Sequence, residues 1–318
     1  MKRPEIPQDE QTRIEALRSL NVLDTLPEER FDRLTRMAKR MFGVPIALVS
    51  LVDENRQWFK SSLGFGVSEI SRDISFCGHA ILGDKVFIIQ NATEDQRFAD
   101  NPLVLGDPNI RFYAGCPLFL SGQKLGTLCI IDQKPRSFEK EDIEALKDLA
   151  CMVERELAAV QLATIDELTK ISNRRGFMLL AQQSLNLCAR QKIPAALVFL
   201  DLDKFKPIND KYGHAKGDRA LIAFASQMKS SFRESDVFAR LGSDEFVVLL
   251  TKTSKQLAEE IIGVFNLALR KFNQEANRGY DVAFSYGIVE SNPEKHSAIE
   301  DMLTNGDTLM YEVKRAKK

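Results

Sequence analysis

Two short apolar runs, each joined to a pair of carboxylates, constrain this chain more than any other feature. Residues 195–200 read Ala-Ala-Leu-Val-Phe-Leu and end in Asp201 and Asp203. Residues i and i+2 of a strand share a face, so a buried strand here carries both acids to one side of its end. Lys204, Lys206 and Asn209 follow, then Tyr212-Gly213-His214 and Gly217-Asp218. Further on, Ala239-Arg240-Leu241-Gly242-Ser243-Asp244-Glu245 opens a second apolar run, Phe246-Val247-Val248-Leu249-Leu250. A lone Asp-x-Asp at a strand end usually shapes a turn or caps a helix. Two acidic strand ends in one small domain favour a hard cation, which takes carboxylate oxygens. Acid, base, amide and glycine gathered there are the parts of a Mg²⁺-nucleotide site.

A length of 318 residues predicts two domains, each long enough to bury a core. The net charge of −1 provides no basic stripe for nucleic acid and no funnel for acidic substrates. The five cysteines (Cys77, Cys116, Cys129, Cys151 and Cys188) show no Cys-x-x-Cys pair and mostly lie in apolar strings, as buried free thiols do. The N-terminus lacks a signal-peptide core and no apolar run reaches membrane length, which predicts a cytoplasmic chain with no membrane partner. The tail Lys314-Arg315-Ala316-Lys317-Lys318 reads as a cationic helix end.

The first half predicts helices at 12–20 and from Leu26-Pro27-Glu28-Glu29, with proline in the first turn and Phe31, Leu34, Ala38 and Met41 as the second helix's core face. Strands are expected at 46–52, 57–61, 86–90, 112–120 and 126–131, with Ser121-Gly122-Gln123 as a hairpin turn. A third helix starts from Ser137 as N-cap. It carries Ile143, Leu146, Ala150, Val153, Leu157 and Val160 at alternating spacings of three and four, an a/d seam expected to face a second copy. The rival reading packs that seam on its own sheet.

The motifs from Asp166 onward carry a resemblance. Asp166-x-Leu168-Thr169 with Asn173-Arg174-Arg175, the stretch from Asp201 to Asp218, Gly242-Ser243-Asp244-Glu245-Phe246, Tyr286-Gly287-Ile288 and Asp307-x-Leu309-Met310-Tyr311-x-x-Lys314 resemble the GGDEF domain of diguanylate cyclases. The first half resembles, more diffusely, a GAF domain. The carriers are Leu26-Pro27-Glu28-Glu29-Arg30-Phe31, Ile46-Ala47-Leu48-Val49-Ser50-Leu51-Val52-Asp53, Phe76-Cys77-x-His79-Ala80-Ile81, Arg111-Phe112-Tyr113-Ala114-Gly115 and Leu125-Gly126-Thr127-Leu128-Cys129. The expected fold class is α+β. A GAF-like antiparallel sheet flanked by helices spans 1–136, a connecting signalling helix spans 137–165, and a GGDEF domain with a palm-like central sheet spans 166–318.

The resemblance implies condensation of two GTP into cyclic di-GMP across a homodimer, with Mg²⁺ (or Mn²⁺) and an unidentified small ligand for the GAF domain. By position in the motif, Asp201, the Leu202 carbonyl and Asp244 hold metal, and Asp244 and Glu245 are catalytic. Asn209 and Asp218 read guanine, Lys206 and Lys314 hold phosphates, and the amides of Lys204 and Phe205 assist. Asp203 shapes the turn, and His214 packs within the turn that follows. Arg233 and Asp236, six positions before Gly242, match an Arg-x-x-Asp site for inhibitory product. Cys77 with His79 invites a bilin or redox role, but the pair reads as packing and hydrogen bonding.

Two departures bear on activity. Ser243 replaces the family's second glycine, which a type II′ turn accepts and a turn with two positive φ values does not. Val313 replaces an alanine, and Lys318 stands where an arginine is usual. The alternative function is a non-catalytic module that binds GTP or cyclic di-GMP and signals through partners. A dimerisation scaffold is the third.

Overall fold

The computed structural model describes residues 1–233, 235–276, 278–292, 296 and 298–316. It separates into two compact units, Met1–Gln161 and Leu162–Lys318.

The first unit runs α1 (Glu10–Ser19), α2 (Glu29–Phe42), β1 (Ile46–Val52), β2 (Arg56–Leu63), β3 (Glu69–Ser71), α3 (Phe76–Ala80), β4 (Phe87–Ile89), α4 (Pro102–Leu105), β5 (Phe112–Leu120) and β6 (Gln123–Asp132). α5 (Lys140–Thr164) closes it and ends just inside the second unit. The six strands pair antiparallel in the order β3-β2-β1-β6-β5-β4. Period-two alternation sends Ala47, Val49 and Leu51 of β1 to a core shared with α1, α2 and α5, and Ile46, Leu48 and Val52 to a second core under α3. Both faces are therefore covered, and β1 is buried throughout.

Several local expectations need correction. Pro27 precedes α2 rather than entering it, because Glu28 is extended and serves as N-cap. Met41 is 55% exposed, and Thr35 takes its place inside, its hydroxyl 2.9 Å from that of Ser61. α5 begins at Lys140, with the Ile143 amide donating to the Glu139 carbonyl, so Ser137 is not its cap. Leu146, Ala150, Val153, Leu157 and Val160, expected to face a second helix, are buried in their own domain's core. A wide apolar stripe buries more area against a nearby sheet than a two-residue seam does against one helix, and the sheet wins.

The second unit continues with β7 (Ser172–Asn173), α6 (Arg174–Gln191), β8 (Ala195–Leu202), α7 (Phe205–Tyr212), α8 (His214–Ser231), β9 (Val237–Arg240), β10 (Glu245–Thr251), α9 (Lys255–Ala276), β11 (Phe284–Glu290) and α10 (Ile299–Ala316). The sheet order is β11-β8-β10-β9-β7, antiparallel except for the β7–β9 pair. β8 is central and fully buried. Ala196, Val198, Leu200 and Leu202 face α8 and α9, while Leu197 and Phe199 face α6 and α10. Lys314 and Arg315 lie in the last turn of α10, and Lys317 and Lys318 lie outside the described residues. No helix among the described residues is long and apolar enough to cross a membrane.

Candidate active site

The alternation that buries β8 also aims its acids. Asp201 follows Phe199 on the side of α10, and its register partners are Glu245 on β10 and Ser285 on β11. The Leu202 amide donates to the Asp244 carbonyl at 3.0 Å, which draws the turn before β10 onto the end of β8. Asp201, Asp244 and Glu245 thus meet at one end of the sheet. Burial raises the Asp201 pKa, Lys314 pulls against it, and Asp244 and Asp203 add to the rise. Burial also raises Glu245, reinforced by repulsion from Asp307, Asp201 and Asp244. The cation present is the Lys314 ammonium, which forms an ion pair with the Asp201 carboxylate. Lys314 was expected to hold phosphate. Here it stands on an expected metal ligand.

The signature turn has its own logic. Neither Gly242 nor Ser243 has a positive φ, so serine introduces no backbone strain. A Cβ at Gly242 would lie 2.5 Å from Glu245 Oε2, so a side chain there would shift that carboxylate. The Ser243 hydroxyl donates to Asp244 Oδ1 at 2.6 Å. The Ser243 carbonyl accepts from Arg240 Nη2 at 2.9 Å, and Arg240 Nη1 reaches Asp166 Oδ1 at 3.2 Å. Asp166 also accepts from the Thr169 amide and hydroxyl. One guanidinium thereby ties the start of this unit to the signature turn. Arg240 was given no role from sequence, although its position beside the turn and the Asp166 motif were both visible.

Asp203 accepts from the Ser285 hydroxyl at 2.7 Å, and its amide donates to the Ala283 carbonyl, which is a turn-shaping role. Lys204 has φ of 56° and precedes α7, on which Phe205, Lys206 and Asn209 lie. Lys206 is exposed and Phe205 packs against the core. Asn209 Oδ1 is buried without a hydrogen-bond partner among the described residues. A Cβ at Gly217 would sit 1.8 Å from that oxygen, so a side chain there would displace the Asn209 amide. Asp218, next to Gly217, is exposed on α8, and His214 is exposed at that helix's start.

The structure sets Arg233 and Asp236 apart from this cluster. Asp236 accepts from the Arg233 amide and from that of Thr251, the last residue of β10. Glu245 begins the same strand, about 20 Å away at ~3.4 Å per residue. Asp236 is 9% exposed and its oxygens hold the loop, leaving Arg233 as the exposed member of the pair.

Comparison with known families agrees with this geometry. A family model described as "Diguanylate cyclase, GGDEF domain" matches residues 163–318, and one described as "GAF domain" matches residues 26–157. The chain is a GAF–GGDEF protein. It is 41% identical over 177 residues to the cyclic di-GMP phosphodiesterase PA2567 of Pseudomonas aeruginosa, covering 55% of the chain and 30% of that protein. It is 30% identical over 212 residues to diguanylate cyclase A of Treponema denticola, covering 63% and 56% respectively. The GAF–GGDEF chain thus spans well under two thirds of either relative. Among solved structures, the GGDEF domain of TpbB from Pseudomonas aeruginosa is 31% identical, with a TM-score of 0.43, over 48% of the chain and 89% of that structure.

No three His, Cys, Asp or Glu side chains among the described residues form a ready metal cage. This GAF–GGDEF protein still fits Mg²⁺, which binds through one or two carboxylates and completes its shell with water and substrate phosphate. Asp201, neutralised by a lysine, and Asp244 beside it at the same sheet end are such a donor set.

Proposed function

We propose that the second domain is a diguanylate cyclase that condenses two GTP into cyclic di-GMP and releases two pyrophosphates. The observation that carries this reading is the convergence of Asp201, Asp244, Glu245 and Lys314 at one sheet end, on a chain whose 163–318 segment matches the diguanylate cyclase model. Asp201, Asp244 and the Leu202 carbonyl would hold Mg²⁺ or Mn²⁺, which supplies charge neutralisation at the phosphates.

The chain's own residues position and select. Asn209 Oδ1, desolvated and unpartnered, is set to accept from a guanine amine. Asp218 supplies two more acceptors, which suit guanine's N1–H and exocyclic amine and oppose adenine's N1 acceptor. Lys206 and the amides of Lys204 and Phe205 face phosphate, and Lys314 leaves Asp201 for the β- and γ-phosphates once a cation replaces it. Glu245, its pKa raised, is suited to take the 3′-hydroxyl proton as that oxygen attacks the partner nucleotide's α-phosphate.

One domain holds one GTP, so the reaction requires a homodimer. The GAF domain regulates it through a small ligand, and product feeds back at Arg233, with Asp236 shaping the loop. The cytoplasm, where GTP is available, is the expected location. A second reading, nucleotide binding without turnover, is favoured by the hydrogen bond from Ser243 to Asp244.

The test is product chromatography with GTP, ATP and a series of protein concentrations. Cyclic di-GMP from GTP alone, at a specific rate that rises with protein concentration, supports the cyclase. GTP bound without product supports the second reading.

A further inference from the structure

We propose that Cys77 and Cys129 of the first domain form a dithiol that a small hydroperoxide oxidises to a disulfide. The two sulfurs are 3.7 Å apart, brought together by the packing of α3 on β6. Cys77 Sγ is surrounded by donors: Gln57 Nε2 at 3.0 Å, the Thr127 hydroxyl at 3.1 Å and the Tyr113 hydroxyl at 3.2 Å. Gln57, Tyr113, Thr127 and both cysteines are all buried. A structural thiol needs none of these groups, because buried cysteine packs as a small hydrophobe.

The same chain provides a contrast. Burial pushes the Cys116 thiol up to about 11, as expected where no donor compensates. Burial acts on Cys77 too, but hydrogen bonds involving Cys129, Ser50, Thr127 and Tyr113 outweigh it and bring Cys77 down to about 7. Burial raises Cys129, which keeps its proton. A thiol ringed by donors, with a second thiol 3.7 Å away, has the arrangement of an attacking and a resolving cysteine.

The chemistry balances with the hydroperoxide as oxidant. The Cys77 thiolate attacks the terminal peroxide oxygen, forming S–O and breaking O–O. The alcohol or water leaves with a proton, and Cys77 becomes a sulfenic acid. Cys129 then attacks that sulfur, S–S forms and S–O breaks, and the departing hydroxide takes the Cys129 proton as water. Two thiols are oxidised by two electrons and one peroxide is reduced.

Cys77 lies on α3, and both thiols are buried. That helix has five residues, and the irregular segment at 2–4 lies over it: the Lys2 carbonyl is 3.0 Å from His79 Nε2, and Pro4 lies against Gly78. Leu128, beside Cys129, faces the core that also holds Leu146 and Val153 of α5.

The experiment treats the full chain with hydrogen peroxide and follows intact mass and thiol-specific peptide mapping. The expected result is loss of two hydrogens and a linked peptide joining Cys77 to Cys129. Cys129→Ser should give no such link and should trap a dimedone adduct on Cys77, and Tyr113→Phe should slow the wild-type reaction about tenfold or more. Mapping of the wild type decides the matter if Cys129→Ser does not fold. Both thiols still alkylated after millimolar peroxide, or linkage of either to another cysteine, would overturn the proposal. The outcome is independent of cyclase activity.

Discussion

Lys314 of α10 forms an ion pair with Asp201 at the end of β8, where the two acidic strand ends meet. The lysine neutralises the buried carboxylate, and on the proposed reading it would give way to a bound cation. Lys314→Ala should therefore raise the affinity for Mn²⁺ without nucleotide, measured by calorimetry. It should lower kcat/KM for GTP by about tenfold to a hundredfold, the value of a charge-assisted phosphate contact. Unchanged GTP kinetics would remove Lys314 from the substrate site.

Ser243 shows how little a signature departure means until its backbone is seen. With negative φ values at Gly242 and Ser243, the turn does not need a second glycine. The hydroxyl nevertheless engages Asp244 Oδ1. Ser243→Gly should raise metal affinity severalfold by freeing a hydrogen bond of about 1 kcal/mol. It should also lower stability by about 0.4–1 kcal/mol through a looser unfolded chain. A metal titration beside a urea melt checks both signs.

Much of this site was legible because strand alternation and motif order are local properties. The apolar run at 195–200 was enough to place a buried strand that carries Asp201, while Asp203 lies just beyond it in the turn, and 46–52 and 112–120 read directly as strands. The short strands β3, β7 and β9 were not legible, since none carries an apolar run like the Val86-Phe87-Ile88-Ile89 of the equally short β4. The roles of Arg240 and Lys314 depend on side chains meeting across large sequence separations, which no local pattern encodes. The heptad reading of α5 failed for a related reason: an a/d seam and a sheet-facing stripe share the same spacings.

That inward seam has a direct consequence. Leu157 is fully buried in the first domain's core, so Leu157→Ala should destabilise that domain by about 2–5 kcal/mol. Its midpoint in a denaturant melt should not depend on protein concentration. A concentration-dependent midpoint would restore the dimer seam.

Acid should weaken the first domain through Glu10. Burial alone would raise this carboxyl from its ordinary 4.5, but hydrogen bonds from Arg13 and Arg72 outweigh it and hold the pKa at about 2. A depressed folded-state value contributes stability above the unfolded pKa and loses it as pH falls from about 4.5 to about 2. Glu10→Gln should be less stable than wild type at neutral pH, with the difference shrinking across that window. A constant difference down to the lower limit would contradict the assignment.

The central claim is that the acids on β8 and beside β10 make a cyclase. Purified protein incubated with GTP and Mg²⁺ should yield cyclic di-GMP. Asp244→Ala should yield none while keeping the wild-type fold by circular dichroism. Absence of product from folded wild type, at concentrations high enough to drive dimerisation, would contradict the account, as would undiminished product from Asp244→Ala.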